Sequence, residues 1–121
     1  MNTNERAILF QLLTEFQAGT HQTNADKGFY SPPMTLLEEI ALVHSEVSEA
    51  SEEYRASTPF LYYSTEPDKE GKPEGIAVEF ADAIIRMLNA AKQHNIPVIQ
   101  ALFEKADYNK TRPVRHGGKK C

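Results

Sequence analysis

The sequence predicts an all-α fold, a bundle of about four helices in a single domain over residues 1–121. Three observations carry this expectation. Apolar residues recur at spacings of three and four in four separate stretches. Capping signals stand in front of the clearest of these stretches. No segment shows the strict alternation of a half-buried strand.

The first stretch is residues 4–18. Ile8, Leu12 and Phe16, with Leu9 and Leu13 beside them, form an apolar stripe read as core. Asn2 or Thr3 can cap it, and Gly19 reads as a stop signal. Residues 19–34 then read as a polar loop punctuated by Gly and Pro, carrying His21, Asn24, Lys27, Phe29 and Tyr30. Loops on rigid scaffolds often bear recognition groups. Phe29 and Tyr30 could equally plug the loop onto the core.

Residues 35–56 form the central helix. Thr35 and Glu38 make a capping box, with Met34 as the staple. Leu36, Ile40, Val43, Val47, Ala50 and Tyr54 step by four and three, the pattern of a buried stripe. From Met34 to Tyr54 there are six Glu and no Lys or Arg. Glu39, Glu46, Glu49 and Glu53 share one face, although like charges at these spacings disfavour a helix. A solvated acidic surface is one reading, and a divalent metal site is another.

Residues 57–74 lack helical periodicity and hold three Pro. Their first half is aromatic and their second half polar, which reads as a flap without convincing strands. Residues 75–94 form the third helix, with Ile76, Phe80, Ala83, Ile84, Met87, Leu88 and Ala91 on the expected inner side. Glu79 and Asp82 are a second acidic pair at i,i+3. Arg86 follows Asp82 by four, so an intrahelical ion pair is the plain structural reading for Asp82. Asn95 to Pro97 breaks this helix, and residues 98–110 form a fourth, on Val98, Leu102 and Ala106.

Charge is unevenly spread. The net charge is −4, but residues 105–121 carry six Lys/Arg against one Asp, which leaves about −9 on residues 1–104. A basic tail of this kind suits either a polyphosphate or nucleic acid. The lone cysteine, Cys121, excludes an internal disulfide. No apolar run approaches the ~18 residues of a membrane span. With no signal segment at the start, the reading is cytoplasmic, without membrane contact.

Two acidic pairs on antiparallel helices would bring carboxylates to one volume, the oxygen-rich setting that Mg²⁺ takes. Zinc-type Cys/His spacing is absent, as are a GxxxxGK[ST] loop and a GxSxG motif. The arrangement Glu46-x-x-Glu49 … Glu79-x-x-Asp82 resembles the ExxE…ExxD signature of the MazG-like all-α nucleoside triphosphate pyrophosphohydrolases. The stretch from His21 through Asn24 and Lys27 to Phe29 looks like the substrate loop of the small MazG-like proteins. Lys105, Asn109, Arg112 and the His116–Lys119 segment are similar to their phosphate and nucleotide tail.

The resemblance implies a four-helix bundle of that type. It also implies Mg²⁺-dependent hydrolysis, with Mn²⁺ as an alternative, of nucleoside triphosphates, deoxynucleoside triphosphates foremost, to monophosphate and pyrophosphate. Glu46, Glu49, Glu79 and Asp82 would hold metal, and Glu49 or Glu53 would orient or deprotonate the water. Lys105, Arg112 and Lys119 would face the phosphates. His21, Asn24, Lys27, Phe29, Asn109 and His116 would serve base, sugar or nucleotide contacts. It further implies a homodimer or homotetramer with shared sites, acting in housecleaning or dNTP pool control. Two other readings stand beside it: phosphoribosyl-ATP pyrophosphohydrolase, and a non-enzymatic helical interaction module with a nucleic-acid-binding tail.

Overall fold

The computed structural model describes residues 1–114. Among them are four helices: α1 (Thr3–Asp26), α2 (Leu36–Arg55), α3 (Ile76–Gln93) and α4 (Val98–Thr111). Two two-residue strands, β1 (Tyr62–Tyr63) and β2 (Pro73–Glu74), pair antiparallel between α2 and α3. None of the four helices is long and apolar enough to cross a membrane.

α1 begins at a capping box. The Asn2 side chain accepts from the Glu5 amide at 2.9 Å, and the Glu5 carboxylate accepts from the Asn2 amide at 2.8 Å. The helix does not stop at Gly19. It runs to Asp26, so His21 and Asn24 lie on a helix and not in the expected loop. Glycine inside a helix costs about 1 kcal/mol, and bonds to α3 offset it. Gln17 Nε2 donates to the Leu88 carbonyl at 2.7 Å, and Thr20 Oγ1 donates to Asn89 Oδ1 at 2.8 Å. The true stop is Gly28, at φ +84°. The Gly28 amide donates to the Ala25 carbonyl and the Phe29 amide to the Asn24 carbonyl, the two bonds of a Schellman motif.

The Thr35–Glu38 capping box is formed at the start of α2. α3 closes on a second Schellman motif, with Asn95 at φ +57° and the Ile96 amide donating to the Ala91 carbonyl at 2.7 Å. The strand pair was not expected from sequence. Two residues are too few to display a period, and the partner of Tyr62 is Glu74, 12 positions away.

Residue pairings give the helix directions. Glu39, early in α2, meets His94 beyond the end of α3, while Glu46 meets Arg86, so α2 and α3 are antiparallel. Gln17 meets Leu88, and His21 meets Gln93, so α1 runs parallel to α3. α4 lies antiparallel on α1, with Arg6 bonded to Asp107 and Phe10 stacked on Phe103 at 5.7 Å.

The inner face of α2 is only partly the expected one: Ala50 is buried and Leu36 and Val43 are half-buried, but the rest of the apolar stripe is not. Glu46 and Glu39 are buried, at 7% and 5% exposure, whereas Val47 and Tyr54 of the apolar stripe are 52% and 74% exposed. Ile40 on α2, Phe80, Ile84 and Met87 on α3, and Ile8, Leu12 and Phe16 on α1 are also exposed. α2 packs chiefly on α3, and it does so with its glutamate side. The buried apolar residues are Ala50, Ala83, Leu88, Ala90, Ala91 and Ile99, mostly small.

Candidate metal centre

Glu46, Glu79 and Asp82 meet between α2 and α3, each offering a carboxylate oxygen within 4.8 Å of the others. Glu49 is exposed and stands outside this trio, but it lies against both Glu46 and Glu79 at its edge. Antiparallel packing brings the pairs face to face. Glu79 stands in the first turn of α3, where the helix dipole favours a negative charge.

Arg86 is the one cation bonded into this group among the described residues. Its Nε donates to Glu46 Oε1 at 2.8 Å, across the helix seam. The expected intrahelical pair with Asp82 is replaced by this bridge. Glu46 is the most buried of the four carboxylates and gains most from a direct partner. Burial is the largest influence on the Glu46 carboxyl and pushes it up, but the Arg86 bond and charge together with hydrogen bonds from Glu79 and Glu49 outweigh it, and the net shift is downward.

Glu79 is in the opposite state. Its Oε2 is buried without a hydrogen-bond partner. Burial first, and then the neighbouring Glu49 and Glu46, push its pKa to about 8. Asp82 is also raised, by burial and by Glu46, against the pull of Arg86 and Lys72.

An orphaned carboxylate oxygen beside three further carboxylates, with no nitrogen or sulfur donor in the group, fits a hard divalent cation such as Mg²⁺ or Mn²⁺. Lys72 is a residue that sequence reasoning missed. It sits in the polar half of the flap, 10 positions before Asp82, and its charge reaches that carboxylate. Only the β1–β2 turn brings it there, with the Ser64 amide donating to the Lys72 carbonyl at 2.9 Å.

The remaining candidates fall in three places. Glu53 faces the flap. Its carboxylate accepts from Thr58 Oγ1 and, at 3.0 and 3.1 Å, from Tyr62 Oη. The Tyr62 phenol is raised by burial and then by this carboxylate, which keeps it a donor.

His21 bonds Gln93 at 2.8 Å and stacks on Tyr30 at 4.7 Å. Asn24 lines a small cavity with Met34, Glu39, Leu42, Arg86 and Asn89, adjoining the carboxylate group through Arg86. Lys27 and Phe29 are exposed at the end of α1.

Lys105, Asn109 and Arg112 lie on or just beyond α4. The Lys105 ammonium sits 4.8 Å from the Tyr108 ring centre, and no ion pair among the described residues joins these three to the carboxylates. His116 and Lys119 lie outside the described residues.

Fold and site together define an all-α chain with an oxygen-only carboxylate cluster at the seam of two antiparallel helices. Comparison with family models, with curated proteins and with solved structures gives no match.

Proposed function

We propose that this chain is a divalent-cation-dependent nucleoside triphosphate pyrophosphohydrolase, with Mg²⁺ as the ion and deoxynucleoside triphosphates as the foremost substrates. The observation that carries the reading is the unpartnered, buried Glu79 Oε2 among Glu46, Glu49 and Asp82. A buried carboxyl oxygen without a donor costs about 1–3 kcal/mol, and a bound cation would remove that cost. The ExxE…ExxD resemblance supplies the substrate class.

Glu46, Glu49, Glu79 and Asp82 would hold the cation, which when bound supplies Lewis acidity and lowers the pKa of its water. Glu49 is the most exposed of the four and lacks the Arg86 bond that holds Glu46. It is therefore assigned to orient the attacking water and take its proton. The water oxygen bonds to the α-phosphorus as the bond to the bridging oxygen breaks. Pyrophosphate leaves and the monophosphate remains. Lys72 from the flap, with Lys105 and Arg112, would balance charge on the departing phosphates.

The functional unit in this reading is a homo-oligomer. Val47 joins two grooves along α2 and α3, one with Tyr54 and Phe80 and the other with Ile40 and Met87. A chain whose own buried apolar residues are mostly alanine gains a core when a second copy covers this face. It would also carry the far-lying Lys105 and Arg112 toward a neighbouring cluster. Purified protein incubated with canonical and modified NTPs and dNTPs, with pyrophosphate scored against orthophosphate, tests the reaction. Release of orthophosphate and nucleoside diphosphate would overturn it.

A further inference from the structure

Glu53 repeats the acidic spacing of Glu46 and Glu49, one turn further on, yet its side chain is engaged elsewhere. Its carboxylate accepts from Thr58 Oγ1 and Tyr62 Oη, both in the flap that follows α2. Tyr62 in turn pairs with Glu74 in the β1–β2 ladder, immediately before Gly75. Two residues before Tyr62, the Phe60 carbonyl accepts from the Ala77 amide at 3.0 Å. That carbonyl occupies the space a Cβ at Gly75 would need, and Gly75 stands at φ +112°. The Glu79 amide closes the first turn of α3 by donating to the Gly75 carbonyl at 3.1 Å. A continuous set of bonds thus runs from the Glu53 carboxylate, through the flap, to the turn that carries Glu79.

We propose that Glu53 is a positioning residue: it latches the flap to the end of α2 and thereby sets the first turn of α3, so that Glu79 and Asp82 stand opposite Glu46 and Glu49. This inference rests on the reading of those four carboxylates as a cation site. Both Glu53 oxygens are engaged by flap hydroxyls, and Glu53 is not among the carboxylates that converge with Glu46. Held in this way, Glu53 acts on the cluster through the backbone and not by contact. Tyr62 is the second half of the latch, and Thr58 supports it.

The test uses the full chain and two readouts. Mn²⁺ affinity by titration calorimetry reports the cluster, and amide hydrogen exchange at Ala77 reports the latch. Tyr62→Phe removes one hydroxyl and leaves the packing of the ring. It should speed exchange at Ala77 and weaken Mn²⁺ binding by about tenfold, the lower end for residues that support metal ligands. Glu53→Ala should do the same, and Tyr62→Phe should add little in its background. Glu53→Gln keeps a carbonyl acceptor and should recover most of the affinity. Unchanged Mn²⁺ affinity in Tyr62→Phe and Glu53→Ala, or unchanged exchange at Ala77, would overturn the latch. So would full loss of affinity in Glu53→Gln with Tyr62→Phe unaffected, the pattern of a direct ligand. A wild-type chain that binds no Mn²⁺ is a different result, and overturns the cation site together with the positioning role that depends on it.

Discussion

Arg86 Nε donates to Glu46 Oε1 at 2.8 Å across the α2–α3 seam, although Asp82 stands one turn away on its own helix. This bond ties the two helices at the level where their carboxylates converge. It also divides the group: Glu46 is held ionised, while Glu79 is pushed toward the protonated form. Arg86→Met should lower the stability of the cation-free protein by roughly 1.5–3 kcal/mol, the range for a charged hydrogen bond. Urea denaturation of Arg86, Glu46 and Asp82 single and double variants checks it. Coupling should be larger for Arg86 with Glu46 than for Arg86 with Asp82.

Glu79→Gln should abolish both hydrolysis and the stabilisation that Mg²⁺ gives the wild type. Ligand binding to the native state must raise its melting temperature. Above about pH 8, where the wild-type Glu79 carboxyl is ionised beside Glu46 and Glu49, cation-free Glu79→Gln should melt at or above the wild-type temperature, because one repelling charge has gone from the cluster. Thermal scans with Mg²⁺ and with a chelator separate the two effects. A variant that keeps its Mg²⁺ shift would contradict the assignment.

pH should act on the cation-free protein with a definite sign. The Glu79 carboxyl holds its proton to about pH 8 when folded, against an ordinary value of 4.5. Between those values the folded chain keeps a proton that the unfolded chain has released. The stability this contributes is fully present below about 4.5 and is lost as pH rises through about 8. Asp82, also raised, acts in the same sense, whereas Glu46, which is lowered, loses its contribution only as pH falls below 4.5. The melting temperature with chelator should therefore fall from about pH 6 to about pH 8.5. Saturating Mg²⁺ should flatten that fall, since cation binding displaces the Glu79 proton and tightens as pH rises.

The open apolar face predicts self-association. Val47→Asp, at the junction of the two grooves, should shift sedimentation toward the monomer and lower the melting temperature. Thr111→Asp, on the exposed end of α4, serves as a surface control. A wild-type chain that sediments as a monomer at micromolar concentration would remove the oligomer from the proposal.

The basic tail predicts a split between nucleotides. Arg112→Ala should weaken triphosphate binding more than monophosphate binding, because a guanidinium engages phosphate oxygens in pairs. Deleting residues 113–121 should raise KM strongly, with little change in melting temperature. Equal losses for both nucleotides would make Arg112 structural, and unchanged kinetics after the deletion would leave the tail without a role at the site.

Local chemistry determined a good deal of this protein. Four helices were legible because period and capping are properties of neighbouring residues. The Thr35–Glu38 box formed as its spacing suggested, and the i,i+3 acidic pairs placed each carboxylate on a shared helix face. What needed the tertiary structure was every choice between local alternatives. Gly19 reads as a stop, but Gln17 and Thr20 bond to residues 71 and 69 positions away, and those bonds carry α1 on to Asp26. Arg86 had two acidic partners within reach, and the more buried one took it. Glu53 looked like the fourth member of the acidic row, and the flap engaged it. Periodicity showed that Ile40, Val47 and Tyr54 share a face, yet not whether the chain itself covers that face. Hydrophobic burial is non-directional. An apolar stripe states that it prefers a cover, and only the packing of α2 on α3 through Glu46 decided that Ile40, Val47 and Tyr54 stay exposed on this chain.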